Sequence, residues 1–109
     1  VNITNEIPDE LKSKVTSLKL ENIPTLSRDV YISEILQLLY QMLEDYQKFG
    51  FAPFLNDYCD LSMSINHNVV VNVNGNKKCG VGVGLSEEGY LLLENNGEIE
   101  KIILGDIEV

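Results

Sequence analysis

Residues 69–75 have the sequence Val-Val-Val-Asn-Val-Asn-Gly, a run of β-branched side chains that ends in an Asn-Gly pair. β-branched residues favour strands, and Asn-Gly is typical of a tight hairpin turn because both residues tolerate positive φ. The stretch therefore predicts a strand followed by a hairpin. A second strand is expected at residues 77–83, on the other side of the turn.

Short apolar runs separated by turn residues continue to the end of the chain. A longer turn is predicted at residues 84–89 and another tight turn at Asn96-Gly97. Further strands are predicted at residues 90–94, 99–104 and 107–109. Four or five short antiparallel strands in about 45 residues are typical of a small β-barrel, either SH3-like or an incomplete OB barrel.

Upstream of these strands, residues 27–49 carry apolar side chains at spacings of three and four, which predicts a long helix with one apolar face. Ser27 is placed to cap its start, and Gly50 to end it in the left-handed conformation. The helix would be about 35 Å long. So long an apolar stripe needs a partner surface that the rest of the chain can hardly supply. The stripe consists of Val30, Ile32, Ile35, Leu36, Leu39, Met42, Leu43, Tyr46 and Phe49.

The first quarter of the chain, residues 1–24, mixes short apolar runs with polar and charged residues. Pro8 is followed by two acidic residues, a pattern that suits the first turn of a helix. A brief helix is therefore expected over Pro8–Lys14. With the strands that follow, the sequence predicts an α+β fold.

Composition excludes several classes of function. The chain has 17 acidic and 8 basic residues and a formal charge of -9, whereas a nucleic-acid binder concentrates basic side chains on one face. No apolar run reaches the ~20 residues that a membrane span requires, so a cytoplasmic protein without a membrane contact is expected. Cys59 and Cys79 fit neither a zinc site nor a disulfide framework and are expected to be free, buried thiols.

The residues alone indicate no active site. Gly80–Gly84 alternates glycine and valine, but a strand rather than a helix follows, so structural glycines are predicted instead of a dinucleotide site. His67, the only histidine, has no partners at a metal-binding spacing, and no serine has a histidine in a catalytic arrangement. The sequence therefore predicts no metal site and no catalytic residue.

Several motifs resemble the biotin protein ligases. In that family a Gly-x-Gly-x-Asn-Val strand is followed by Asn-x-x-Pro-x-Glu-Leu and by Ala-Thr-Ser-Leu, and here Val1–Leu11 and Val15–Leu18 are similar. A later family motif, Gly-x-x-x-Gly-Ile-x-x-x-Gly-x-Leu-x-Leu, is similar to Gly80–Leu93. The family's ending, Ser-Gly followed by Asp or Glu and then Ile or Val, is matched by Gly105-Asp106-Ile107, with Leu104 in place of the serine.

The resemblance implies the C-terminal portion of an ATP-dependent ligase. Residues 1–60 would complete its catalytic domain with a strand end, an adenylate loop and the helix at 27–49, and residues 61–109 would form an SH3-like barrel. Such a ligase makes biotinyl-5′-AMP from biotin and ATP, with Mg²⁺ implied, and transfers biotin to a lysine of a biotin carboxyl carrier protein domain. The family's Gly-Arg-Gly-Arg-x-Gly loop and catalytic lysine are missing here, so this chain alone is expected to be inactive. The missing catalytic portion, the carrier domain and a second copy of the ligase are the implied partners.

The resemblance also implies three cofactor-binding residues. Asn2 matches the asparagine that recognises adenine, a task for which an amide both donates and accepts hydrogen bonds. Thr16 and Ser17 match the wall behind the adenylate, and Pro8–Lys14 matches the loop that orders over it. A nucleotide role for the barrel is disfavoured, and a docking role favoured, because its basic residues are only Lys77, Lys78 and Lys101.

Two other interpretations stay open. The chain could be a stand-alone SH3-like module without enzymatic activity that binds a protein or peptide by strand addition along the barrel edge. It could also be an oligomerisation element without ligand chemistry. A Gly-Arg-Gly-Arg sequence encoded upstream would favour the ligase, and an initiator methionine just before Val1 would favour the module.

Overall fold

The computed structural model describes residues 2–108. Val1 and Val109, at the outer ends of the two predicted domains, lie outside the described residues, as does the end of the last predicted strand. The chain divides into two compact units, one extending to Leu43 and the other beginning at Glu44. The predicted domain boundary between residues 60 and 61 stays a prediction.

The long helix α1 spans Arg28–Phe49, which confirms the predicted helix. The Ser27 carbonyl accepts a backbone hydrogen bond from Val30 at 3.1 Å, at the predicted start. At the other end Gly50 has a φ of 72°, and its N–H donates to the Tyr46 carbonyl at 2.8 Å. Gly50 is therefore the left-handed terminator that the sequence predicts.

The segment before α1 is less helical than predicted. Only a single turn of 3-10 helix, Asp9–Leu11, forms there. Pro8 has an extended ψ of 146° and precedes the turn instead of opening a longer helix. Leu11 is exposed, so the segment has no buried apolar face to stabilise further turns, and short helices without such packing are marginal.

Five strands form one antiparallel sheet in the order β4-β3-β2-β1-β5. Their bounds, close to the predicted ones, are β1 Asn68–Val73, β2 Asn76–Leu85, β3 Leu91–Asn95, β4 Glu98–Ile102 and β5 Asp106–Glu108. Asn74 and Gly75 have φ of 52° and 82°, and Asn96 and Gly97 have φ of 53° and 80°, as the predicted tight turns require.

The α+β class is confirmed, but the barrel is not. β4 and β5 are the two edges of the sheet, and among residues 2–108 they do not pair with each other. The sheet is therefore not closed, and an SH3-like barrel stays a prediction.

One face of the sheet carries the core of the second unit. Val69, Val71, Leu93 and Ile102 are buried together there. The segment before β1 crosses close to β2, where the Asn66 N–H donates to the Gly82 carbonyl at 2.7 Å. A Cβ at Gly82 would overlap the backbone of Ser64, so this glycine of the Gly-Val repeat serves packing.

A short helix that the sequence did not predict joins α1 to the sheet. After a 3-10 turn at Ala52–Phe54, helix α2 spans Leu55–Leu61. The rings of Phe51 and Phe54 lie 6.4 Å apart, and a Cβ at Gly89 would lie 3.2 Å from the Phe51 ring. The turn at Gly89 is thus packed against the start of this connection.

The two cysteines are free, and one of them is not buried. Cys59 is half-buried, whereas Cys79 is exposed. The expectation of a buried thiol is wrong for Cys79 because it pairs with Val70 on the face of the sheet opposite the core. Within residues 2–108, no helix combines the length and the apolar character that crossing a membrane requires.

Candidate functional site

Two of the three predicted cofactor-binding residues are in direct contact. The Nδ2 of Asn2 donates a hydrogen bond to the Thr16 carbonyl at 3.2 Å, and the Asn2 carbonyl accepts one from the Leu18 N–H at 2.9 Å. Asn2 therefore fastens the beginning of the described chain to the segment around Thr16. The bond engages one Nδ2 proton, so the other proton and Oδ1 are the groups with which Asn2 would recognise a base.

Thr16 and Ser17 are fixed by different partners. The Thr16 hydroxyl donates to the Glu21 carboxylate at 2.6 Å, so its proton is already used. Ser17 is only 3% exposed, and its Oγ accepts a hydrogen bond from the Leu20 N–H at 3.3 Å. Ser17 can still donate its hydroxyl proton, whereas Thr16 can only accept.

A cavity of about 410 Å³ lies beside Ser17, within the first unit. Its walls are partly apolar, with Ile7 and Leu20, and partly charged, with Lys12 and Lys19. This size and this mixture of apolar walls with a few polar groups are typical of small-molecule sites. The structure therefore places Ser17 at a cavity, and Asn2 and Thr16 next to the same segment.

The sequence analysis missed three residues of this region. Glu21 holds the Thr16 hydroxyl, and Lys12 and Lys19 line the cavity. Lys12 lies within the predicted adenylate loop, but no motif singled it out. The Thr16–Glu21 contact depends on the turn between them, in which the Glu21 N–H donates to the Ser17 carbonyl at 3.1 Å. Asn22, which directly follows Glu21 and has a φ of 57°, is only a weak sequence signal for this turn.

A larger cleft of about 770 Å³ lies on the sheet and includes Lys78, Glu100 and Asn95 among its lining residues. Lys78 forms an ion pair with Glu100 across β3, and the Asn95 side chain donates to the Cys79 carbonyl at 2.9 Å. The side chains of Lys78, Glu100 and Asn95 are therefore already engaged with partners in this cleft. We place the candidate site at the smaller cavity, where the predicted residues lie.

The sheet is unsuited to hold phosphate groups. Its other two lysines are also paired, Lys77 with Glu108 at 2.9 Å and Lys101 with Glu88 at 3.6 Å. Residues 64–109 contain seven acidic residues and three lysines, so a net charge of -4 remains. An anionic ligand would be repelled by this surplus.

Glu88 shows how the turn between β2 and β3 is held. The Ser86 hydroxyl donates to the Glu88 carboxylate, and this bond, the Glu88 backbone N–H and the charge of Lys101 lower the pKa of Glu88 below its ordinary value. Lys101 also lies 5.7 Å from the centre of the Tyr90 ring. The cluster joins the turn to β4 and has no catalytic geometry.

The described residues do not supply a metal site. Over residues 2–108, no three His, Cys, Asp or Glu side chains lie together in a way that could hold a metal ion. His67 is engaged locally, since its Nδ1 lies 2.8 Å from the Ile65 carbonyl. Mg²⁺ therefore stays an expectation from the resemblance, with no ligand assigned in this chain.

The apolar face of α1 has no cover. Within this fully described helix no residue is buried, and residues from the middle of the stripe, such as Ile35 and Leu39, are 50% and 47% exposed. Monomeric proteins rarely expose so long an apolar surface unless it contacts a partner. Residues 2–108 do not supply the partner surface that the sequence analysis expects for this face.

Known proteins that are similar to this chain are longer than the chain. Residues 64–109 match the family model described as the biotin protein ligase C terminal domain. The chain is 33% identical over 105 residues to the bifunctional ligase/repressor BirA of Bacillus subtilis (strain 168), which covers 96% of this chain and 32% of that protein. The BirA of Escherichia coli (strain K12) is 29% identical over 84 residues, 77% of this chain and 26% of that protein.

Solved structures extend the likeness to the fold. The apo biotin protein ligase from Aquifex aeolicus superposes with a TM-score of 0.85 and 24% identity over 100% of this chain and 50% of that chain. The same ligase in complex with biotin and ATP gives 0.85 and 24% over 99% of this chain and 47% of that chain. The fold described above is therefore that of one half of a larger enzyme structure.

The fold places this chain in the class of proteins in which a helix unit followed by a five-stranded antiparallel sheet forms one half of a longer chain. The matches give that class its identity: the chain belongs to the biotin protein ligase family and corresponds to its C-terminal portion. It spans about a third of the length of the curated relatives that it matches.

Proposed function

We propose that this chain is part of a biotin protein ligase that uses ATP to form biotinyl-5′-AMP and transfers biotin to a lysine of a biotin carboxyl carrier protein domain. The cofactors are ATP and biotin, with Mg²⁺ implied by the resemblance. The reactive centre lies in residues that this sequence does not contain, so the chain alone is inactive. A cytoplasmic location is proposed with it, since two free thiols suit a reducing compartment.

The observation that carries the proposal is the extent of the match. A likeness confined to the sheet would fit a domain that occurs in many different proteins. Here the likeness includes the helix unit and covers 100% of the chain. The exposed apolar face of α1 supports the same proposal. A helix that packs on the rest of a catalytic domain is exposed when that part of the domain is missing.

The first unit contributes the nucleotide side of the site in this proposal. Asn2 contacts the adenine through its remaining amide proton and Oδ1, while Thr16 and Ser17 form the wall behind the adenylate. The fastening of Asn2 to the Thr16 carbonyl supports this role, because a recognition amide must be held in a fixed orientation. The acidic sheet unit, proposed to be SH3-like, takes a docking role towards the carrier domain instead of a nucleotide role.

Replacing Asn2 tests the adenine contact. In the full-length ligase, Asn2→Ala should raise the Kd for ATP by about tenfold, since one or two hydrogen bonds are lost, and change the Kd for biotin by less than about twofold. Separate titrations of ATP and biotin measure the two effects. Equal losses for both ligands would count against the adenine role.

Glu21→Ala is the matched control for this experiment. It releases the Thr16 hydroxyl without touching Asn2, so it reports what a loosened segment does to ATP binding.

Biotin transfer to a carrier domain by the wild-type protein tests the enzyme itself. The isolated chain serves as the negative sample, and adenylate formation by it would contradict the proposal.

A second candidate is the stand-alone module that binds a peptide strand. The open edge of β4, a strand that contains the exposed Ile99, favours strand addition. This candidate leaves the uncovered apolar face of α1 without an explanation. Full binding of a peptide by the chain, together with no biotin transfer by the full-length protein, would support it.

A further inference from the structure

The cavity beside Ser17 contains two lysines in different electrostatic states. Lys12 forms an ion pair with Asp9, so its charge is compensated. Lys19 forms no ion pair with any residue from 2 to 108. Glu6 also lines the cavity but forms no ion pair with Lys19, so the ammonium of Lys19 is available to a ligand.

The backbone at Lys19 is held firmly. Its N–H donates to the Ile3 carbonyl at 3.1 Å, and its carbonyl accepts from the Asn22 N–H at 3.2 Å. The preceding residue, Leu18, donates to the Asn2 carbonyl at 2.9 Å. Lys19 therefore starts from a fixed point beside Asn2, and only its flexible side chain remains to be oriented by a ligand.

The chemistry of the cavity fits one end of a nucleotide. The apolar side chains of Ile7 and Leu20 suit a sugar or base edge, the Ser17 hydroxyl can donate to an oxygen, and the ammonium of Lys19 suits a phosphate. In a nucleotide the phosphate follows the base by one sugar. That separation is within reach of a lysine side chain whose backbone lies next to the base-recognising residue.

We infer that Lys19 binds the phosphate end of the nucleotide while Asn2 faces the base, an inference that rests on the proposed function. Lys12 has no such role, because Asp9 holds its ammonium. Lys19 thus distinguishes a nucleotide from the uncharged nucleoside, a discrimination that Asn2 cannot provide. Neither lysine was singled out by a sequence motif.

Titrations of the full-length protein with ATP and with adenosine separate these roles. Lys19→Gln should weaken ATP binding by about five- to tenfold, because a charge-assisted hydrogen bond is lost, and leave adenosine binding within about twofold. Lys48→Gln, in the last turn of α1 and outside the cavity, is the control for the loss of one positive charge and should change neither affinity by more than about twofold. Lys19→Arg keeps the charge and should retain ATP affinity within about threefold.

The outcomes are distinguishable. Equal ATP affinities of the wild type and Lys19→Gln, or equal losses of ATP and adenosine affinity, overturn the role of Lys19. If biotin transfer by the wild type persists in that case, the proposed function stands without this inference. A wild-type protein that binds neither nucleotide and transfers no biotin overturns both. Lys19 is exposed, so its variants should unfold at the wild-type temperature, which thermal unfolding checks.

Discussion

The helix α1 and the five-stranded sheet contain similar proportions of apolar residues but bury them very differently. In the sheet, Val71 and Leu93 are 1% and 2% exposed. In α1, every residue of the apolar stripe is exposed. The sheet buries its own core, whereas the described residues leave the apolar stripe of the helix exposed. The spacing of apolar residues thus predicts which face of an element is apolar, but not which part of a protein covers that face.

The largest expected effect tests this difference directly. In the chain as given, Leu93→Ala should lower the free energy of unfolding of the sheet by about 3 kcal/mol, because it removes buried methyl groups and leaves a cavity. Leu39→Ala should change it by less than about 0.5 kcal/mol, since its side chain is already half in water. Urea unfolding followed by circular dichroism measures both.

The full-length ligase should reverse the result for the helix. There Leu39→Ala should cost about 2–3 kcal/mol, because the stripe is then covered by the rest of the catalytic domain. A Leu39→Ala cost that stays below about 0.5 kcal/mol in the full-length protein would show that nothing packs on this face.

A smaller effect tests the close approach between Gly82 on β2 and the backbone of Ser64 before β1. Gly82→Ala should destabilise the sheet by about 2 kcal/mol, because the new Cβ overlaps the Ser64 backbone, which cannot move as freely as a side chain. Val83→Ala, at the next position, is the control and should cost less than about 1 kcal/mol since Val83 is 36% exposed. Thermal unfolding checks the pair, and equal melting temperatures would contradict the close approach.

Sequence patterns predicted those elements whose cause is local. The Asn-Gly pairs fix the hairpins through positive φ at residues 74–75 and 96–97, and the spacing of apolar residues fixes α1. Helix α2 was missed because Leu55–Leu61 is only seven residues long and begins two residues after Pro53. Too short a periodic run cannot be told from a loop.

The candidate site was only partly predictable for a physical reason. A family motif pointed to Asn2, Thr16 and Ser17, but the Asn2–Thr16 contact joins residues fourteen positions apart. The cavity and its lysines arise from the turns between them, which no propensity specifies. The same holds for Lys77 and Lys78, adjacent residues that pair with opposite edges of the sheet through Glu108 and Glu100.

The smallest effect expected concerns the Glu88 carboxylate in the turn between β2 and β3. Glu88 has a pKa below its ordinary value of 4.5, first because Ser86 donates to it and then because of its backbone N–H and Lys101. The folded state therefore favours the ionised form. Its contribution to stability is fully present above about pH 4.5 and is lost as the pH falls through the lower, folded pKa. Glu88→Gln should reduce the free energy of unfolding at neutral pH, but not at pH values below the pKa that Glu88 has in the folded state.

Urea unfolding between pH 7 and pH 3 measures the difference between wild type and Glu88→Gln. Glu87→Gln controls for the loss of one negative charge, since within residues 2–108 Glu87 takes part in no ion pair. A wild-type advantage that is independent of pH would show that Glu88 acts by packing and not through its charge. The contacts of Glu88 stabilise a turn within the sheet. No ion pair of the described residues involves a side chain of α1. The helix therefore depends on an apolar partner surface, whereas the sheet has its own core and its own ion pairs.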